Sequence, residues 1–166
     1  MNTHILIPAP AIGLDGVPAA VTALSLVDGQ KGELVIAGRA VEHLARDMSF
    51  EEVAAELWRI ADPVAEPIAP GAFGAARVAA FQQALTICPS LVGLQSIDGL
   101  RAAIAALDIA DGPDTALQIT AALPVLAATL AALRAERTPL APEPTLSHAA
   151  DTLRLLRGEA PSEAEA

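Results

Sequence analysis

An all-α, mainly helical fold with one short N-terminal β-hairpin is predicted by three observations. The first is composition. Of the 166 residues, 53% are apolar and only 2% aromatic, and the apolar set is mostly Ala, Leu, Val and Ile. Ala and Leu are strong helix formers. The second is periodicity: from residue 39 onward apolar positions recur at i, i+3 and i+4, the spacing of one helix face. The third is punctuation, with Pro and Gly gathered between the periodic stretches and an Asp-Gly pair between two β-prone runs.

The same numbers exclude several classes. The length suits one domain, since domains cluster at roughly 100–150 residues. An apolar content of 53% is enough to bury a core, which excludes disorder over most of the chain. Cys88 is the only cysteine, which excludes a disulfide scaffold. Ten Lys+Arg against twenty Asp+Glu leave a net charge of -10, so neither nucleic acid nor an anionic membrane is an expected partner. The start, Met1-Asn2-Thr3-His4, lacks the basic and apolar regions of a signal peptide, and a cytoplasmic location is expected.

Residues 1–38 read as an irregular lead-in followed by the hairpin. Pro8, Pro10, Pro18, Gly13 and Gly16 break regular structure. Thr22–Val27 and Glu33–Ile36 then flank Asp28-Gly29-Gln30-Lys31-Gly32, a turn between two short strands. Such a hairpin is marginal alone and must lean on something else.

Residues 39–158 read as helices. Val41, Leu44 and Ala45 share one face. Ser49-Phe50-Glu51-Glu52 is a capping box, and the stripe Phe50, Val53, Ala54, Leu57 and Trp58 follows it to a stop at Asp62-Pro63. Pro63, Pro67, Pro70 and Gly71 mark a loop. A helix over about 72–87 should stop at Cys88-Pro89. Ser96 is the expected cap of the next, running to about Asp108. Asp111-Gly112-Pro113 should open the longest helix.

From Ala116 to Leu133 no residue is charged. Eighteen residues is the lower limit for a membrane span. Gln118, Thr120, Thr129, the internal Pro124 and the dominance of Ala argue instead for a buried helix, and burial all round calls for a partner subunit. Pro139, Pro142 and Pro144 then stiffen a connector, and a last complete helix runs from Ser147 to Gly158. Residues 159–166 hold a second capping box, Ser162 with Glu165, which starts a helix that four residues cannot complete. The ending reads as a frayed acidic tail or, the expectation preferred here, as the front part of something longer.

No active site is evident from residue chemistry. His4, His43 and His148 lack metal-site spacing. His43 reads as solvated, and His148, in the first turn of the last helix, as structural. Cys88 has no triad partners and reads as a buried thiol. Asp98 and Arg101 form an ordinary i, i+3 pair, and Glu51 and Glu52 serve the helix dipole. No glycine cluster forms a phosphate loop. No catalytic residue, cofactor site or metal site is assigned.

Gly13-Leu14-Asp15-Gly16-Val17, Thr22, Leu26-Val27-Asp28-Gly29 and Lys31-Gly32-Glu33-Leu34 resemble the opening of bacterial citrate synthases and 2-methylcitrate synthases. The likeness continues in order through Gly38, Val41-Glu42, Leu44-Ala45, Ser49–Ala54 and Leu57-Trp58. Asp98-Gly99-Leu100-Arg101 and Ala106-Leu107 resemble the family's Met-Asp-x-Leu-Arg helix. Leu146–Ala150, Leu153–Gly158 and Pro161-Ser162-Glu163 resemble the helix before its catalytic half.

The resemblance implies that residues 1–166 are the N-terminal part of the large domain of a two-fold helical dimer. It also implies a deep place for the 116–133 helix near the dimer interface. The family condenses an acyl-CoA, acetyl-CoA or propionyl-CoA, with oxaloacetate. Its catalytic motifs, of the types His-Ala-x-His, Gly-Pro-x-His-Gly-Gly and Gly-x-Gly-His with a later Asp, do not occur in these 166 residues. The implied role is therefore a scaffold and dimerisation half. Its expected partner is a second copy or a chain carrying the catalytic half, with substrates bound only in the completed enzyme. The alternatives are a non-catalytic interaction or regulatory module pairing with a full-length relative, and an unrelated helical carrier of apolar ligands. Two departures set the chain apart: Ile36-Ala37-Gly38-Arg39 where the family favours Tyr-Arg-Gly-Tyr, and Gln95-Ser96 where it favours His-Pro.

Overall fold

A computed structural model describes residues 22, 24–63 and 66–158. The lead-in over 1–20, with His4, and the capping box at Ser162–Glu165 lie outside the described residues. Within them, three short strands precede six helices.

The hairpin forms as its turn chemistry dictates. Strand β1 (Ser25–Asp28) pairs antiparallel with β2 (Glu33–Ile36), Leu26 opposite Val35. Asp28 Oδ1 accepts from the backbone N–H of Gln30 and Lys31, closing the turn. A third strand, β3 (Arg39–Ala40), pairs with β2, which the sequence did not announce. The reason lies in the Ala37-Gly38 turn: both residues have positive φ, 52° and 77°, the geometry that matches strand twist in a two-residue hairpin. The first helical residue is accordingly Val41, not residue 39. Arg39 reaches Glu56 at 3.5 Å and so leans the sheet on the second helix.

Helix α1 (Val41–Asp47) buries Leu44 and leaves His43 exposed. Helix α2 (Phe50–Ala61) opens on the capping box: Ser49 Oγ accepts from the Glu52 N–H at 3.2 Å, and Glu52 accepts from the Ser49 N–H at 2.7 Å. Each bond satisfies a donor left orphaned by the helix start. Helix α3 (Ala72–Ile87) follows the proline loop and ends in a 3-10 turn, Cys88–Leu91, with Pro89 blocking its continuation.

Helix α4 (Ser96–Ala105) departs from expectation at both ends. Its N-cap is Gln95, and the Ser96 hydroxyl is taken instead by Arg134 Nη1 at 3.1 Å. It stops short of Asp108, whose backbone pairs with the Gln83 side chain on α3 at both N–H and carbonyl. Helix α5 (Thr115–Arg134) starts after Asp114 rather than at Asp111, because Thr115 Oγ1 binds the Gly112 N–H and the Ala110 carbonyl and closes the preceding turn. Helix α6 (His148–Arg157) has Ser147 as its cap and Gly158 at φ 86° after its last turn, as the sequence predicts.

The core is α5 laid against α3, α4 and α6. Ala80, Ala84, Ala103 and Ala122 let backbones approach closely, and Val125, Leu126 and Leu130 fill the space between. By length and composition α5 could cross a membrane, but 44% of its apolar window is buried inside this fold. Its burial is one-sided. Ala116, Ile119, Leu123 and Ala131 form an exposed stripe at helical spacing, so the expected burial all round is not met within this chain.

Candidate functional site

The chain's interior charges gather at one corner, where α2, α3, α6 and the 138–147 connector meet. Arg77 is the only charged residue in α3, and no part of it reaches solvent. A buried guanidinium must be paired and hydrogen-bonded, since an isolated buried charge is very costly. Nε donates to Asp151 Oδ2 at 2.8 Å, and Nη2 donates to the carbonyls of Glu143 at 3.2 Å and Leu146 at 2.8 Å. Nη1 lies 3.4 Å from His148 Nδ1.

Asp151, also fully buried, holds a second arginine. Its Oδ1 accepts from Arg154 Nε at 2.9 Å, and both its oxygens accept from the Glu143 N–H. Arg154 Nη2 reaches the Ala141 carbonyl. One carboxylate thus ties α3, α6 and the connector together. Gly74 makes this possible one turn before Arg77. A Cβ there would meet the Pro144 carbonyl oxygen at 2.1 Å, so only glycine lets the connector lie on α3.

His148 completes the corner. Its ring stacks on Phe50 at 4.7 Å and tilts against Phe73 at 5.0 Å, and Phe73 stacks on Trp58 at 5.9 Å. Three of the chain's four aromatic residues therefore collect here. Burial holds the His148 pKa below the usual histidine value, and the Arg77 charge adds to that, against the opposing pull of Glu51 and Asp151. The His148 backbone N–H, an orphan donor of the α6 start, is taken by Glu51 Oε1. Glu51 thus serves the N-terminus of a different helix, beyond the dipole role its sequence position indicates.

A cleft of about 340 Å³ opens beside the corner, lined by Glu51, Glu52, Ile68, Phe73, Pro144 and Ser147 among others. Its carboxylates are engaged, Glu51 by His148 and Glu52 by Ser49. Among the described residues, every buried side-chain nitrogen and oxygen has a hydrogen-bond partner. No three His, Cys, Asp or Glu among them form a group that could hold a metal ion.

The remaining residues singled out from sequence are scattered. Cys88 is fully buried behind α5, and burial pushes its thiol up to about 11. Asp98 and Arg101 stand exposed at 3.8 Å. The sequence reading missed Arg77 and Asp151. One signal was available: a lone charge in a sixteen-residue apolar helix must either point to water or find a buried partner.

The fold and sequence have clear relatives. A family model described as the citrate synthase C-terminal domain matches residues 13–166. The chain is 32% identical to the citrate synthase of Haloferax volcanii over 91% of its own length and 44% of that protein. It is 30% identical to the citrate synthase of Acidithiobacillus ferridurans over 95% of its length and 45% of that one. The crystal structure of citrate synthase from Thermotoga maritima superposes with a TM-score of 0.70 at 23% identity, covering 91% of this chain and 42% of that one. Citrate synthase from Pyrobaculum aerophilum gives 0.69 at 20% identity, over 90% and 42%. The chain spans about 45% of the curated relatives it matches. A family match over nearly all of its residues, with the same helical fold, makes this chain a member of the citrate synthase family.

Proposed function

We propose that this chain is the front, large-domain portion of a citrate-synthase-type condensing enzyme and supplies scaffold rather than catalytic groups. The reaction would join acetyl-CoA or propionyl-CoA to oxaloacetate in an enzyme completed by further chain. The observation that carries this reading is the saturation of the interior. Among the described residues, Arg77, Asp151 and His148 bond one another and backbone groups, and Glu51 holds the His148 N–H, so the polar groups beside the cleft serve to join α2, α3, α6 and the connector. The family relation and the coverage of about 45% of its relatives support it further. The open apolar stripe of α5 supports a partner subunit on that side.

The test is release of free CoA thiol from acetyl-CoA or propionyl-CoA with oxaloacetate, on the chain alone and on its complex from native lysate. Activity in the complex alone is expected. Activity in the isolated chain would overturn the scaffold role. Inactivity in both would favour the second reading, a regulatory module that uses the α5 stripe to pair with a full-length relative.

A further inference from the structure

We propose that His148 is an acid-sensitive latch: protonation of its ring sets it against the Arg77 guanidinium and releases α6 and the connector from α2 and α3. The latch goes beyond the scaffold reading and does not depend on it. A guanidinium has donors only, so a bond from Arg77 Nη1 at 3.4 Å requires an unprotonated His148 Nδ1. The neutral ring must therefore carry its proton on Nε2. An imidazolium would place donor against donor and charge against like charge in a buried site.

Among the described residues, three charged groups face the ring. Arg77 comes from α3, Glu51 from α2 and Asp151 from α6. The connector contributes backbone carbonyls to Arg77, while the Glu143 carboxylate turns away onto Thr145. The two acids do not rescue the charged ring. Asp151 is committed to Arg77, Arg154 and the Glu143 N–H, and Glu51 to the His148 backbone. Phe50 and Phe73 pack against the ring at 4.7 and 5.0 Å and hold it beside Arg77. The lowered pKa agrees in sign. The unfolded chain takes up the proton near 6.5 and the folded chain only at lower pH. Stability is therefore full above that value and falls as pH drops toward the folded-state pKa.

The test uses the 166-residue chain and its His148→Asn variant, whose amide oxygen can accept from Arg77 without titrating. The urea midpoint of the wild type should fall between about pH 6.5 and pH 5, whereas that of the variant should stay flat. Over the same range, amide exchange should lose protection in α6 relative to α4. Nitrogen-15 spectra of labelled imidazoles supply a readout that needs no variant. His148 should carry its proton on Nε2 and titrate below the ordinary histidine value of 6.5. A proton on Nδ1, titration of His148 at or above 6.5, parallel stability profiles, or equal exchange changes in α4 and α6 would each overturn the latch.

Discussion

The two halves of α3 are buried by different physics. In the first half, Gly74 and Arg77 face a corner of charges, carbonyls and aromatic rings. In the second half, Ala80, Ala84 and the following Cys88 face Ala122, Val125 and Leu126 of α5. The first half depends on directional bonds, and every donor must find its acceptor at a set distance. The second depends on closeness and volume, with no single contact decisive. A change of similar size should therefore act all-or-none in one half and by degrees in the other.

The largest effect is expected from Asp151→Ala. It strands the Arg77 charge in the interior and should cost about 3–5 kcal/mol of unfolding free energy, read by urea titration. The double variant Arg77→Met, Asp151→Leu should recover much of that loss, because removing both charges removes the desolvation problem. A double variant as damaged as the single would show that shape, rather than pairing, rules the corner.

Leu126→Ala tests the other half. It opens a cavity against α3 and should cost about 2–5 kcal/mol, less if the alanine-rich surroundings close in. Gly74→Ala probes the seam where the connector touches α3. Its new methyl must displace the Pro144 carbonyl and with it the acceptors of Arg77, at about 1–3 kcal/mol. Hydrogen exchange should show the change in the connector and α6 before α4.

Smaller effects lie at the margins of the two halves. Glu136 sits past the end of α5 at φ 54°, where Arg137 N–H bonds the Ala132 carbonyl and Glu136 N–H the Leu133 carbonyl. This is the helix ending that glycine fits best. Glu136→Gly should raise stability by about 1 kcal/mol, seen as a higher thermal midpoint. Cys88 should resist iodoacetamide in the folded chain near neutral pH, since its thiol ionises only near about 11, and should react once urea unfolds it. Rapid labelling of the native chain would mean that the alanine-rich half opens more readily than the polar corner.

Much of this structure was legible in the residues. The Ser49–Glu52 box, the Asp28-Gly29 turn and Gly158 act through bonds that span at most five residues, and each stands where the sequence places it. The family resemblance, carried by ordered short matches, also holds. Elsewhere a distant group displaced a local role or added to it. Ser96 gives its hydroxyl to Arg134, thirty-eight positions away, and leaves the cap to Gln95. Glu51 serves a helix ninety-seven positions on.

The sequence by itself determined the helical class, most element boundaries and the family, because caps, turns and periodicity are settled within a few residues. Only the tertiary structure decided the polar corner. Arg77 and Asp151 are separated by 74 positions, and neither carries a local mark that names the other. Their pairing is chosen by how α3, α6 and the connector pack, since a buried charge takes whichever partner the fold brings within reach.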